Sequence, residues 1–330
     1  MTISNPKRLG ALALLATIAL GACSGGSASS APSSAASGAA LSGTVTIDGS
    51  STVFPITQAV AEEFQIANPG VQVPVAFAGT GGGFKKFCTG ETDINDASRP
   101  IKTEDKADAK SEATNCQAAG ISYAQLQVAI DGLTVVVNPQ NDFATCLTSA
   151  ELKAIYGPDS PKDLLWSQVR TGFPAEKVDR FMPGADSGTF DYFTETINGE
   201  VDASTQNATQ SEDDNTLVTG VAGSQYGVGY FGYAYFVENT DKLKAVAVDG
   251  GSGCVAPSDE TINDGTYKPL SRPLFIYPNV GTAKTDITLK AFVDYYLANA
   301  ATYAAEVGYV ALPADKAQAQ VAAWTAALGK

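Results

Sequence analysis

The chain repeats one local order of elements, in which an apolar strand is followed by a turn of Gly, Ser and Thr and then by a helix. Residues 43–48 alternate and are β-branched, which is typical of a strand, and Pro55 opens a segment with apolar side chains at helical spacing up to residue 67. Residues 71–77 predict a second strand, and a glycine-rich turn then leads into a helix expected at 84–88. This alternation predicts an α/β fold whose ligands bind where strands end and helices begin.

Later segments predict the remaining elements. An apolar strand is expected at 129–137, an aromatic-rich strand pair at 226–236, and two closing helices at 287–307 and 314–328. We expect five aromatic side chains in the core rather than in a pocket wall, namely Tyr230, Phe231, Tyr233, Tyr235 and Phe236. A chain of 330 residues can bury two cores of about 130 to 150 residues each, so we expect two lobes.

The N-terminal residues carry the pattern of an export signal. Lys7 and Arg8 precede an apolar run at 9–20, which at about 12 residues is too short to span a bilayer. Small residues before Cys23 match a bacterial lipobox, so we expect residues 1–22 to be removed and Cys23 to be acylated. Residues 23–42 are then a flexible Ser/Ala/Gly tether to the membrane. An ordinary signal peptide with an incidental Cys23 is the alternative.

The remaining cysteines are even in number, which in an exported chain predicts disulfide bonds. Counting alone leaves three pairings open. Spacing favours Cys88–Cys116 as a local loop and Cys146–Cys254 as a longer one. A metal site is the alternative, but no C-x-x-C pair and no histidine supports it.

Composition argues against most enzymes and against nucleic acid. Histidine is absent from the sequence, which removes Ser-His-Asp and Cys-His nucleophile activation. The S-x-x-K run from Ser4 to Lys7 lies inside the expected signal. With 35 acidic against 21 basic residues and no basic stripe, the chain lacks a nucleic-acid footprint. No nucleotide-binding glycine motif is present, so neither an enzyme nor a cofactor is expected.

Three turns rich in glycine and hydroxyl residues each precede an expected helix. Helix starts present free N–H groups and a partial positive charge, and short hydroxyls add donors that reach outward. Together such turns can hold one tetrahedral oxyanion, although each one alone is also an ordinary N-cap. The candidate residues are Ser50, Ser51 and Thr52 on the first turn, Thr80 and Gly81 on the second, and Ser187, Gly188 and Thr189 on the third.

Arg99 supplies a candidate cation. It lies between Ser98 and Pro100 in a turn after an expected strand, and a guanidinium group can bind two oxygens of an oxyanion at once. An arginine paired with Asp96 at the surface is the alternative. If Arg99 binds the ligand, replacing it with alanine is expected to remove most of the affinity.

Seven runs follow one another along the chain. They are DGSSTVFP (48–55), GTGGGFKK (79–86), GETDI (90–94), ASRP (97–100), DSGTF (186–190), GVGYFGY (227–233) and PLSRPL (269–274). In order and spacing these runs resemble those of PstS-type phosphate-binding lipoproteins, the substrate-binding subunits of phosphate ABC importers. The resemblance covers roughly residues 43–312.

The resemblance implies a type II periplasmic-binding-protein-like fold with a ligand cleft between two lobes joined by two crossover strands. It implies lobe I from 43–130 plus 271–330 and lobe II from 131–270. The implied function is high-affinity extracytoplasmic binding of inorganic phosphate, through the three turns and one arginine, by a monomer that delivers it to an ABC permease. Neither a metal nor a cofactor is implied. Binding of sulfate or molybdate, or a surface phosphate sensor or adhesin without transport, are the alternatives.

The chain departs from the best-known branch of that family at two positions. There an Asp in the second loop of the first lobe accepts the proton of the phosphate, and an Arg lies four residues before the third turn. In this chain the corresponding residues are Arg99 and Pro183. Asp186 is the leading substitute for the proton acceptor, or else orients Arg99. Asp48 and Asp214 are the next candidates.

Overall fold

The structure is a computed structural model that describes residues 40–105, 109–185 and 187–329. Most of the expected signal and tether, with Cys23, and the candidate Asp186 lie outside the described residues. The strands are β1 (Gly43–Thr44), β2 (Ile47–Gly49), β3 (Val71–Gln72), β4 (Ile94–Ala97), β5 (Leu126–Val137), β6 (Cys146–Thr148), β7 (Asp179–Pro183), β8 (Thr209–Ser211), β9 (Gly227–Gly232), β10 (Lys244–Ala245), β11 (Ala247–Asp249), β12 (Ser271–Pro278) and β13 (Val310–Ala311).

A π-helix, Thr194–Asn198, continues one of the α-helices. In the described part of the chain no helix has the length and apolar character needed to cross a membrane. The α-helices are α1 (Phe54–Ala67), α2 (Gly79–Phe87), α3 (Glu112–Ala118), α4 (Ser149–Tyr156), α5 (Trp166–Val169), α6 (Gly188–Phe193), α7 (Asp214–Gly223), α8 (Tyr233–Val237), α9 (Asp259–Asn263), α10 (Val280–Ala283), α11 (Ile287–Glu306) and α12 (Ala314–Ala327).

Two long strands, β5 and β12, connect the two halves of the main sheet. Its strand order is β2-β4-β12-β5-β9-β7-β8, and β10 and β13 also pair with β5. β5 and β12 are antiparallel neighbours, whereas β2 and β4 in one half, and β7, β8 and β9 in the other, pair in parallel. The chain therefore crosses between the two halves through β5 and β12.

The hydrophobic core divides in the same way. One large cluster contains Ile47, Phe64 and Leu126 with the closing helices, and we call this half the first lobe. A second large cluster contains Tyr156 and Trp166, and we call that half the second lobe. Along β5 the cluster changes after Ala129, and on the returning chain it changes between Leu270 and Leu274.

Helix α1 forms as its sequence predicts. Its apolar residues Ile56, Val60 and Phe64 are buried on one face, Pro55 lies in the first turn, and Asn68 caps the end. The closing helices α11 and α12 also match their predicted ranges within two residues, and β5 is longer than predicted at its N-terminal end.

Helix α2 begins earlier than expected, at Gly79 instead of Phe84. Glycine normally disfavours a helix by about 1 kcal/mol relative to alanine. Here close packing explains the glycine, because a Cβ on Gly83 would lie 2.0 Å from Asn95 Oδ1 and 2.5 Å from the Cα of Gly49. The segment with Thr80 and Gly81, which is the second of the three candidate turns, thus lies within the first helical turn of α2. The helix packs directly against the sheet.

Two strand predictions were wrong in extent. Residues 226–236 form one strand, β9, followed by helix α8, and not a strand pair. Of the aromatic residues expected in the core, Tyr230, Phe231 and Tyr233 are buried, whereas Tyr235 and Phe236 are only partly buried. Residues 71–77 form only the two-residue strand β3, because Pro74 has no N–H to donate to a sheet.

The cysteines pair in the way that spacing favours. Cys88 is bonded to Cys116 and Cys146 to Cys254. The first bond joins the residue directly after α2 to α3, and the second joins the start of β6 to the loop after β11. Each bond therefore lies within one lobe.

Candidate functional site

The first turn connects β2 to α1 and is held tightly against β4. The backbone N–H of Ser50 donates to the carbonyl of Asp96 at 2.9 Å. Gly49 has a φ of 143°, and a Cβ there would lie 2.2 Å from the same carbonyl oxygen, so only glycine fits. Ser50 and Thr52 are almost fully buried, whereas Ser51 is partly exposed. The turn is thus fixed in place before any ligand binds.

The second turn is joined to the end of β4 by hydroxyl groups. Thr80 Oγ1 accepts a hydrogen bond from the backbone N–H of Ser98 at 3.1 Å and lies 3.2 Å from its hydroxyl. Gly81 follows in the same helical turn and lies near the Arg99 guanidinium, since a Cβ there would be 3.6 Å from Nη2. Thr80, Gly81 and Ser98 therefore form one surface.

The third turn belongs to the second lobe and meets the first turn. Ser187 caps α6, and its side chain accepts from the backbone N–H of Thr189 at 3.3 Å. Gly188 lies against Thr52, because a Cβ at this position would be 3.2 Å from Thr52 Oγ1. Asp186, the leading candidate for the proton acceptor, lies outside the described residues.

One cavity of about 620 Å³ brings the first two turns together with the second lobe. All residues of these two turns line it, whereas those of the third turn do not; they adjoin it through Thr52. The lining residues are Ser50, Ser51, Thr52, Gly79, Thr80, Gly81, Ser98, Arg99, Lys102, Asp191, Tyr192, Glu195, Thr196, Val201, Pro269 and Arg272.

Arg99 lines this cavity but is paired with a carboxylate. Its Nη1 and Nη2 donate to the two oxygens of Glu112 at 2.9 and 2.8 Å. Burial alone would raise the pKa of Glu112, but the bonds from Arg99 and from the backbone N–H of Lys102 outweigh it and lower the pKa. The partner of Arg99 is thus Glu112 and not Asp96, which is fully buried in β4.

A second arginine, Arg272, reaches the cavity from the crossover strand β12. Its Nε donates to Asp131 Oδ2 at 3.1 Å, and its Nη2 donates to Thr52 Oγ1 at 2.7 Å and to the carbonyl of Gly188 at 3.4 Å. The guanidinium lies 3.7 Å from the ring centroid of Tyr192. Arg272 therefore contacts turns from both lobes.

Sequence reasoning did not assign a role to Arg272, although it lies in the PLSRPL run. The available signal is a single charged residue, Arg272, in a mostly apolar segment, since a buried cation requires a partner or a ligand. Its partner Asp131 lies directly opposite on β5, and its side chain is 1% exposed. Burial raises the pKa of Asp131, and Arg272 opposes that shift.

Comparisons with known proteins agree with this geometry. The model of the PBP superfamily domain matches residues 34–300. Protein SphX of Synechocystis is 49% identical over 275 residues, which cover 83% of this chain and 80% of SphX. Phosphate-binding protein PstS of Staphylococcus saprophyticus is 38% identical, covering 92% of this chain and 89% of PstS. The chain belongs to the PstS family of the PBP superfamily.

A solved structure supports the same assignment. The crystal structure of a possible phosphate binding protein from Planctomyces limnophilus has a TM-score of 0.81 and 48% sequence identity, covering 87% of this chain and 99% of that one. The expected fold class, a two-lobed periplasmic-binding-protein-like α/β fold, is thereby confirmed. Membership of the PstS family also classes the chain as a substrate-binding protein and not as an enzyme.

The carboxylates of this PstS-family cleft lie mainly in the second lobe. Asp191 and Glu195 line the cavity. Burial raises the pKa of Asp191, Asp202 and Glu195 add to the shift, and Arg272 opposes it. Acidic side chains therefore lie within reach of a ligand in this cavity.

The two other sequence candidates for the proton acceptor are placed differently. Asp48 accepts from the N–H of Gly49 at 2.7 Å and is paired with Lys86. Asp214 is in the first turn of α7, where burial and the neighbouring acids raise its pKa to about 6. Neither is among the residues that line the cavity. In the described ranges, no cluster of three or more acidic residues or cysteines could hold a metal ion.

Proposed function

We propose that this protein binds inorganic phosphate in the cleft between its lobes, outside the cytoplasm, and delivers it to the permease of an ABC importer. The observation that carries the proposal is the convergence of buried and partly buried hydroxyl groups and two arginines on one cavity. Ser50, Thr52 and Thr80 are hydrogen-bond donors of the kind that replaces the hydration shell of an oxyanion. The names of the relatives, phosphate-binding protein PstS among them, support phosphate as the ligand.

The proposed ligand set combines neutral donors with a few charges. Neutral donors suit a buried anion because they bind it without needing a full counter-charge. The net charge of −14 does not oppose binding, since charges beyond about 8 to 10 Å are screened. The proposed residues are Ser50, Ser51, Thr52, Thr80, Gly81, Arg99, Asp186, Ser187, Gly188 and Thr189, to which the cavity adds Arg272.

Calorimetry of the mature protein with phosphate, arsenate, sulfate and molybdate tests the ligand. We expect tight binding of phosphate and arsenate and much weaker binding of the other two, because an ionised carboxylate accepts the proton of phosphate and repels sulfate. Sulfate binding as tight as phosphate would reject phosphate selectivity. Absence of phosphate binding would reject the function.

A transport role has its own test. Phosphate-starved cells that lack the gene are expected to import phosphate more slowly, and the gene should restore uptake. Normal uptake in the deletion strain would favour a surface sensor or adhesin instead.

We also propose that residues 1–22 are removed and that Cys23 carries the lipid, with the Ser/Ala/Gly tract 23–42 as a tether. Labelling of cells with a fatty-acid analogue is expected to mark the wild-type protein and not Cys23→Ser. Equal labelling of both would reject the lipid anchor. In the exported protein both disulfide bonds should form, so that free thiols appear only after reduction.

The two lobes, 43–130 plus 271–330 and 131–270, are proposed to close on the ligand through β5 and β12. Small-angle scattering should show a smaller radius of gyration with phosphate than without it. Light scattering should give the mass of a monomer in both states.

A further inference from the structure

The cleft contains two arginines, each paired with a carboxylate. They differ in which guanidinium nitrogens donate to that carboxylate. Glu112 takes both terminal nitrogens of Arg99, which are the two that usually bind an oxyanion as a fork. Asp131 takes only Nε of Arg272. The two terminal nitrogens of Arg99 are thus bonded to a charged group, and those of Arg272 are not.

The terminal nitrogens of Arg272 are available to a ligand. Nη2 donates only to neutral oxygens, the hydroxyl of Thr52 and the carbonyl of Gly188. Nη1 has no hydrogen-bond partner among the described residues, yet Arg272 lines the cavity. Since a bond from a guanidinium to an anionic oxygen is stronger than one to a neutral oxygen, an oxyanion can replace the Thr52 contact at a gain.

Burial separates the two arginines further. The side chain of Arg272 is 11% exposed and that of Arg99 is 32% exposed. Charge interactions at the more buried site are less screened by water and salt. The Tyr192 ring and Asp131 also fix the plane of the Arg272 guanidinium, so that little side-chain freedom remains to be lost when a ligand binds.

We propose that Arg272, on the crossover strand β12, is the principal ligand-binding cation of the cleft and that Arg99 contributes a smaller share from its edge. This rests on the proposed function. Because Arg272 contacts Thr52 of the first lobe and Gly188 of the second, a ligand bound to it lies where both lobes can reach it. Arg272 thus takes the part that the sequence had given to Arg99.

Calorimetry with phosphate on Arg272→Gln and Arg99→Gln separates the two roles. We expect Arg272→Gln to weaken binding by at least about 100-fold, as for loss of a buried charged hydrogen-bonding partner. Arg99→Gln should weaken it by less than about 5-fold, as for a partly exposed ion pair. If Arg99→Gln loses as much phosphate affinity as Arg272→Gln, or more, the proposal is overturned.

Two further variants keep the test decisive. Arg272→Lys preserves the charge and the pairing with Asp131 but lacks the fork, so we expect a folded protein with binding about 10-fold weaker or worse. Arg170→Gln is the matched control, because Arg170 is also paired with a glutamate, Glu151, but does not line the cavity. Wild-type affinity in Arg272→Lys would contradict the proposal even if Arg272→Gln failed to fold.

Salt gives an independent readout. At 0.5 M NaCl the loss of phosphate affinity in Arg99→Gln, relative to the wild type, is expected to shrink. The loss of affinity in Arg272→Gln should persist. If the wild type binds none of the four anions, the proposed function fails. If it binds phosphate and Arg272→Gln binds equally well, only the assignment of Arg272 fails.

Discussion

The two walls of the cleft differ in chemistry. The first-lobe wall consists of hydroxyl and glycine turns with basic residues at its edge, from Ser50 to Lys102. The second-lobe wall carries the acidic residues Asp191 and Glu195 beside the hydroxyl of Thr196 and the apolar Val201. The first wall offers mainly groups that donate hydrogen bonds to an anion, whereas the carboxylates of the second can accept a hydrogen bond from a protonated one. This division suggests that affinity comes mainly from the first lobe and selectivity mainly from the second.

The largest effect in this comparison is expected from Thr52→Val. The change removes a buried hydroxyl that faces the cavity and accepts from Arg272, so phosphate binding should weaken by about 10- to 100-fold. Thr196→Val on the opposite wall should have a smaller effect. Calorimetry of both variants measures this, with Thr219→Val, an exposed site on α7, as the control. A larger loss in Thr196→Val would reverse the assignment of affinity to the first lobe.

A smaller effect, on selectivity, is expected from Asp191→Asn. Phosphate loses an acceptor for its proton while sulfate loses a repelling charge, so the ratio of phosphate to sulfate affinity should fall by about 10-fold. Competition binding at pH 8 measures the ratio.

Asp202→Asn is the control for that experiment. Asp202 shifts the pKa of Asp191 but does not line the cavity, and asparagine tolerates its positive φ of 66°. The ratio should barely change in this variant. If the ratio of phosphate to sulfate affinity is unchanged in Asp191→Asn, Asp191 does not determine the selectivity.

The smallest effect is one of stability and concerns Asp96 under the first wall. Burial raises the pKa of Asp96 from 3.8 to about 8, the Thr57 hydroxyl opposes the shift in part, and Asp48 adds to it. The folded state therefore binds this proton more tightly than the unfolded chain. The resulting stability is complete below pH 3.8 and is lost as the pH rises through about 8.

Asp96→Asn, which imitates the protonated form, tests that shift by thermal denaturation. Between pH 5 and pH 9 the melting temperature of the variant should rise relative to that of the wild type by at least roughly 3 °C, because only the wild type must ionise a buried carboxyl group. Asp241→Asn, at an exposed site, should follow the wild type at both pH values. If the melting temperatures of wild type and Asp96→Asn change with pH in parallel, Asp96 titrates normally.

The sequence was informative where local patterns decide structure. Helix α1 and the closing helices follow from apolar spacing and their stop signals, and the hydroxyl turns identified the first wall. It failed where distant contacts decide. Gly83 lies inside a helix because its packing against Asn95 leaves no room for a side chain, which local propensity does not reveal.

The two arginines illustrate the same limit at the site. Arg99 lies in a turn next to Ser98, so sequence reasoning found it, but its pairing with Glu112 depends on how α3 packs. Arg272 lies in a strand, and its importance follows from the register that places it opposite Asp131. Pairing register between strands distant in sequence is not readable from one sequence without its relatives.

The most direct test is a crystal structure with arsenate, located by its anomalous scattering. We expect one arsenic peak in the cavity, with an arsenate oxygen within about 3 Å of Arg272 Nη1 and others near the hydroxyls of Thr52 and Thr80. An arsenic peak bound instead beside Arg99 and Lys102 at the edge, or no peak in the cleft, would contradict phosphate binding centred on Arg272.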